Sequence, residues 1–194
     1  MKTNKFFTIL LVMMALAFAI NGQSEASKTI SNENDAQSLQ VGRLEGTFMV
    51  TATFTNIEFC EGGKCEPIPV GELPPPFKVL FTFMAGKTAN DGTLIDTNEF
   101  QMTGNPVCTP DQGIWERKLA NQFILTQYNF CFDSMNGYGP AGTSKIRASL
   151  QLNNRGDGIT GRQYIEGFDA KGMLVFIGEV NLAGPRIIAE EPPE

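Results

Sequence analysis

The chain has 194 residues with 15 basic and 21 acidic side chains, which gives a formal net charge of −6 at pH 7. This negative excess argues against nucleic acid or an anionic membrane surface as a partner. The sequence contains no histidine, so Ser-His-Asp and Cys-His nucleophiles, histidine metal centres and the commonest general base are excluded. We therefore expect neither a metal nor another cofactor.

The N-terminus has the layout of a secretory signal peptide. Two lysines precede an apolar run over residues 6–20, and small residues follow it. The run is too short for a comfortable membrane-spanning helix, although a retained anchor is the alternative interpretation. Cleavage after Ala19, Gly22 or Ala26 fits the pattern. No later stretch is long and apolar enough to span a membrane, so we expect a secreted or periplasmic protein.

Composition divides the chain into four segments. A signal peptide is followed by a polar arm poor in large apolar groups, which is typical of flexible chain. One β domain and a short tail complete the sequence. The predicted segments are 1–22, 23–43, 44–188 and 189–194.

Strand-like runs alternate with turn residues from Leu44 onward. In "LEGTFMVTATF" every second residue lies on one face, which is the period of a strand with one buried face. No apolar segment of helical period and useful length follows the signal peptide. The eight predicted strands, in chain order, cover residues 44–59, 77–83, 93–98, 114–118, 123–133, 144–152, 159–169 and 173–184.

Eight consecutive strands, mostly joined by turns of hairpin length, predict an all-β, eight-stranded, antiparallel up-and-down barrel. Closure would remove the exposed edges of an open sheet, and it requires the first strand to pair with the last. A two-sheet β-sandwich would produce the same alternation and is the alternative.

Four cysteines in an exported chain predict two disulfides. Cys60 and Cys65 flank two glycines that allow the chain to fold back. Cys108 and Cys131 flank a predicted hairpin with its turn near 119–122, so antiparallel pairing would bring them together. This second bridge would close a loop of about 24 residues, worth about 3 kcal/mol in the chain-entropy model. Reactive or metal-binding cysteines are the alternative.

A family resemblance lies at the two ends of the predicted barrel. Gly46-Thr47-Phe48 resembles the Gly-x-Trp signature of lipocalins and the wider calycin superfamily, with phenylalanine in place of tryptophan. In that family an arginine after the last strand packs over this aromatic residue, and Arg186 stands at the corresponding place. The resemblance implies a cation–π contact of about 0.5–2 kcal/mol between Arg186 and Phe48. Only six residues follow Ile188, too few for the helix that lipocalins pack beside their barrel.

Polar side chains on otherwise apolar strand faces are candidate ligand contacts. Gln127 and Asn129 share strand parity with apolar Leu125, and Gln163 shares it with Ile165, so they point inward if the apolar residues do. The alternative is that these polar groups face solvent. With the aromatic residues of neighbouring strands, the predicted ligand-binding set is Phe81, Phe83, Trp115, Gln127, Asn129 and Gln163.

Three functions fit these features. The leading hypothesis is an exported protein that binds a small, mainly apolar molecule without catalysis. The second is a barrel isomerase or cyclase resembling allene oxide cyclase, in which Glu116 or Glu166 would act on a reactive substrate. The third is a structural or interaction protein with a solid core, which would use its outer face or the loop at 60–76.

Overall fold

A computed structural model of the chain describes residues 42–99, 101 and 106–189. The predicted signal peptide, most of the predicted arm and most of the C-terminal tail lie outside the described residues. The described part is all-β, with a single 3₁₀ turn at Val70–Glu72. None of its helical segments has the length and apolar character needed to cross a membrane.

Ten strands alternate with short turns. In chain order they are β1 (Gly46–Glu61), β2 (Lys64–Pro67), β3 (Phe77–Ala85), β4 (Asp91–Asn98), β5 (Val107–Cys108), β6 (Asp111–Leu119), β7 (Gln122–Asp133), β8 (Gly139–Leu152), β9 (Gly158–Asp169) and β10 (Leu174–Pro185).

Eight of these strands form a closed antiparallel barrel. The sheet runs β10-β9-β8-β7-β6-β4-β3-β1, and β1 pairs with β10 to close it. The predicted pairing of the first and last long strands is therefore confirmed, and the sandwich alternative is wrong. Each of the eight strands is bonded on both sides, so the closed barrel has no free sheet edge.

The strands are strongly staggered around the barrel. Directly paired residues can be followed from each strand to the next around the barrel. The path that starts at Gly46 of β1 returns to β1 at Ile57, which is eleven residues further along (57 − 46 = 11). One of the eleven reflects the bulge between Phe54 and Asn56. Stagger, tilt and diameter are linked, and this stagger exceeds the shear of about 8 in a TIM barrel with the same strand number. The interior is correspondingly wider.

Both predicted disulfides are confirmed, and each lies next to a short additional strand. Cys60–Cys65 joins β1 to β2, and Cys108–Cys131 joins β5 to β7. The region 104–113, predicted to be a loop, instead contains β5 and the first residues of β6. Pro106 and Pro110 lie just outside these two strands, whereas Gly113 is paired on both sides within β6, so pairing overrides the turn preference of that glycine.

The barrel end at which β1 begins is closed, and we call it the floor. The Arg186 guanidinium lies 4.4 Å from the centroid of the Phe48 ring, where the resemblance places it. The same side chain donates hydrogen bonds to the carbonyl oxygens of Arg43, Glu45 and Gly156. Arg186 thus links β1, the β8–β9 turn and the segment before β1.

Candidate functional site

Two aspartates face each other inside the barrel, in the half opposite the floor. Asp96 of β4 and Asp111 of β6 are directly opposed in the strand register. Their exposed fractions are only 1% and 2%. We call them the carboxyl pair. Burying a carboxylate is costly unless it is paired, hydrogen-bonded or protonated, so this pair is the most unusual chemical feature of the interior.

Strand parity places both aspartates on the inner face. Asp96 lies two residues after buried Leu94 on β4, and Asp111 lies four residues before buried Trp115 on β6. The sequence interpretation missed both. Parity could have identified Asp96 within its predicted strand, whereas Asp111 lay in the region assigned to a loop.

The side chain of Gln127 on β7 reaches the carboxyl pair by passing over Gly113 of β6. Its amide nitrogen donates a hydrogen bond to Oδ2 of Asp96, although β6 separates their two strands. Gly113 is opposite Gln127 on β6, and a Cβ atom added there would come within 2.6 Å of the Gln127 Cβ and 2.1 Å of the Thr126 carbonyl oxygen. The missing side chain at Gly113 therefore provides the space that Gln127 occupies.

Two further amides hold Asp111. The Gln101 side-chain nitrogen donates to Oδ2 of Asp111 at 3.1 Å, and the Gln101 carbonyl accepts a hydrogen bond from the Cys108 backbone nitrogen at 2.9 Å. The side-chain oxygen of Asn129 accepts a hydrogen bond from the Ser144 backbone N–H at 3.1 Å. The Asn129 side chain also forms a hydrogen bond with Asp111. Because Cys108 both bonds to the Gln101 carbonyl and forms the disulfide with Cys131, this disulfide helps to hold Gln101 in place. We call Asp96, Gln101, Asp111, Gln127 and Asn129 together the carboxyl cluster.

Burial raises the pKa of Asp96 well above its ordinary value of 3.8, and the charge of Asp111 and a hydrogen bond with that residue raise it further. Burial also raises the pKa of Asp111, while hydrogen bonds from Asp96, Asn129 and Gln101 oppose the rise. Two adjacent carboxyl groups cannot easily both ionise in a low-dielectric interior. The raised pKa of Asp96 and its hydrogen bond with Asp111 favour an arrangement in which the two carboxyl groups share one proton.

The carboxyl cluster retains unused acceptor capacity. Oδ1 of Asp96, Oδ1 of Asp111 and Oε1 of Gln127 are buried and accept no hydrogen bond from any group that the structure describes. A proton shared between the carboxyl groups satisfies the aspartate oxygens in part, and Gln127 Oε1 still lacks a donor. Buried polar atoms are nearly always paired in proteins, so the cluster suits a group that donates hydrogen bonds.

Three of the predicted ligand-binding residues lie at this cluster. Gln127 and Asn129 belong to it and are buried on the inner face. Phe81 of β3 is opposite Asp96 in the register and stacks on Phe83, with ring centroids 5.7 Å apart. Phe81 therefore gives the carboxyl pair an apolar neighbour.

Phe83, Trp115 and Gln163, the other predicted contacts, are also buried but do not belong to the carboxyl cluster. Trp115 is four residues from Asp111 along β6, about 13 Å, and its indole N–H donates to the Met84 carbonyl oxygen at 3.1 Å. Gln163 is buried on β9 opposite Ala148.

The two glutamates considered for catalysis do not face the interior. The Glu116 side chain is 52% exposed and pairs with Lys118. Glu166 pairs with Arg147 on the outer surface at 2.8 Å. The carboxyl pair, and not these glutamates, is the acid–base candidate inside the barrel.

The half of the interior near the floor is densely packed. Phe48 and Phe83 meet edge to face at 5.8 Å, as do Trp115 and Phe123. Space above the small residue Gly46 is taken by the Arg186 guanidinium. Any internal ligand site must therefore lie in the half that contains the carboxyl cluster.

Comparison with protein-family models and with curated proteins gives no match. Among residues 42–99, 101 and 106–189, no group of three or more His, Cys, Asp or Glu side chains is arranged to hold a metal ion.

Proposed function

We propose that this chain is an exported, lipocalin-like protein that binds a small molecule inside its barrel. The ligand is mainly apolar and carries at least one hydroxyl or amine group. Its apolar part lies against the aromatic wall near Phe81, and its donor group bonds to the carboxyl cluster.

The observation that carries this proposal is the set of buried acceptors without a donor. Asp96, Asp111 and Gln127 come from three neighbouring strands and have free oxygen atoms at one place. A few convergent polar groups on an apolar wall are the usual composition of a small-molecule site. A hydrogen bond to such a charged or proton-sharing group is worth about 1.5–3 kcal/mol.

The width of the barrel supports an internal ligand. Eight-stranded barrels are either filled by their own side chains or wide enough for one small ligand. Here the stagger is larger than in a TIM barrel with the same number of strands, so the interior is wider.

Export is supported by the cysteines. All four are in disulfides, and such bonds persist mainly in oxidising compartments outside the cytosol. With the N-terminal pattern, this favours a protein that acts outside the cell or in the periplasm. Intact-mass measurement of the protein from its native host tests the step, because it should lack about the first 22 residues.

Binding is tested by extracting small molecules from the protein purified from its native host and identifying them by mass spectrometry. We expect a molecule with a hydroxyl or amine, retained at least tenfold less well by Asp111→Asn and Gln127→Leu. Glu116→Gln on the outer surface is the matched control and should retain it fully. Failure to recover any molecule, together with no displaceable binding of an apolar fluorescent dye, would overturn the proposal.

A second function, proton-transfer catalysis in an isomerase or cyclase, is favoured by the two buried carboxyl groups that face each other across β4 and β6. A protonated carboxyl group beside an ionised one would supply a proton donor and a proton acceptor, the two roles needed to move a proton within one substrate. The two functions differ in what happens to the bound molecule. A catalyst converts the added compound with a rate that depends on the protonation of the pair, whereas a binding protein returns the compound unchanged.

A further inference from the structure

A long groove crosses the outside of the barrel, away from the carboxyl cluster. It consists of three adjoining depressions of about 690, 670 and 530 Å³ on the outer face of β7 to β10. The first two share Ser149 and Arg162, and the second and third share Gln151 and Thr160. The groove extends from Arg147 on β8 to Asn153, the residue after that strand, which is about 20 Å at about 3.3 Å per residue.

The lining combines hydrogen-bonding and apolar side chains, many of them at outward-facing positions. Exposed Ile124 and Ile188 contribute apolar surface to the groove, and buried Ala148 forms part of its bottom between exposed Arg147 and Ser149. The neutral hydrogen-bonding side chains of the lining include Gln122, Thr126, Ser149, Gln151, Thr160 and Asn181.

The charge of the groove is opposite to that of the chain. Its lining contains five cationic side chains and two acidic ones, although the whole chain carries −6. The cationic residues are Lys118, Arg147, Arg155, Arg162 and Arg186, and the acidic ones are Asp157 and Glu179.

Arg162 lies in the middle of the groove with its charge unused. Arg147, Arg155 and Lys118 are each in an ion pair at 2.8–3.0 Å with a neighbouring carboxylate. Arg162 is exposed, and no residue within the described ranges forms an ion pair or side-chain hydrogen bond with it. An exposed guanidinium among hydroxyl and amide groups is suited to bidentate binding of a carboxylate or sulfate.

We propose that this groove binds an acidic polysaccharide chain in an extended conformation. Arg162 pairs with an acidic group of the polymer, and the neutral side chains beside it, such as Ser149 and Asn181, bond to sugar hydroxyls. The length of the groove provides contacts for several consecutive sugar residues.

The groove is poorly suited to the other linear polymers. An extended peptide would gain most from pairing with a free sheet edge, but β8 and β9 are bonded on both sides. Nucleic acid is disfavoured because the described lining lacks several exposed aromatic faces for base stacking. The face of Tyr164, on β9, is already covered by Arg147 at 5.2 Å.

Isothermal titration calorimetry of the full secreted chain with oligogalacturonates tests the proposal. We expect saturable binding that weakens at least tenfold in Arg162→Glu. Lys171→Glu, which makes the same charge change outside the groove, should weaken it less than twofold. In addition, Ser149→Phe fills the centre of the groove and should abolish binding, whereas Thr97→Phe on the outer face of β4 should not.

Several results would overturn the proposal. Absence of binding, or equal affinity for neutral dextran, would remove the acidic polysaccharide as partner. Equal or tighter binding of poly-L-glutamate would assign the groove to acidic protein segments instead. Equal losses of affinity in Arg162→Glu and Lys171→Glu would show that the oligosaccharide responds only to the overall charge of the protein and not to the groove. Thermal unfolding of each variant checks that all of them are folded.

Discussion

Replacing Asp96 by asparagine should change how stability depends on pH. The amide has nearly the same shape as the protonated carboxyl group and remains neutral at every pH. Its nitrogen can donate to Asp111, and its oxygen can accept the hydrogen bond from Gln127. The variant therefore keeps the contacts of the carboxyl pair without needing the shared proton.

The sign follows from the raised pKa of Asp96. A carboxyl group with a higher pKa in the folded protein binds more protons in the folded state than in the unfolded state. The stabilisation that this proton binding provides is complete below the ordinary pKa of 3.8. This stabilisation is lost as the pH rises from 3.8 towards the raised value. For one proton the free energy of unfolding falls by about 1.4 kcal/mol per pH unit in this window. The corresponding change in Tm is about 3–6 °C per pH unit for a domain of this size.

Chemical unfolding of the parent and Asp96→Asn proteins at half-unit pH steps from 4 to 8 measures the difference. We expect the variant to gain stability relative to the parent across the window, while other titrating groups cancel in the comparison. Glu116→Gln, a carboxylate-to-amide change on the outer surface, should give a curve parallel to that of the parent. Parallel curves for Asp96→Asn as well would refute a proton shared in the interior.

Three further changes test the framework around the site by urea unfolding. Gly113→Ala should destabilise the fold by about 1–3 kcal/mol, because the added methyl group collides with Gln127 and backbone; a neutral effect would contradict the close approach. Arg186→Lys should cost about 1–3 kcal/mol, since an ammonium cannot keep the planar stacking and all three carbonyl bonds; full stability would show that charge alone suffices. Replacing both Cys108 and Cys131 by serine should cost about 3 kcal/mol for the opened loop, and an unchanged urea midpoint would argue against that entropic account.

The sequence was most informative where the physical signal is local. Alternation in the eight long strands predicted the barrel, and the glycines between Cys60 and Cys65 predicted their disulfide. Prediction failed at Asp111, because nearby prolines and Gly113 are typical turn residues. Asp111 and Gly113 nevertheless belong to β6, where bonding to β4 and β7 on both sides outweighs the weak local preference for a turn.

Parity alone determined that Gln127 and Asn129 share a face with core residues, since a strand turns alternate side chains to opposite sides. It could not determine what they would meet there. The meeting of Asp96 with Asp111 depends on the register between β4 and β6, and the crossing of Gln127 to Asp96 depends on a glycine on the strand between them. Register is set by the closure and stagger of the whole barrel, which involve residues far apart in the chain. The kind of fold could therefore be predicted from the sequence, whereas the carboxyl cluster is a product of the tertiary structure.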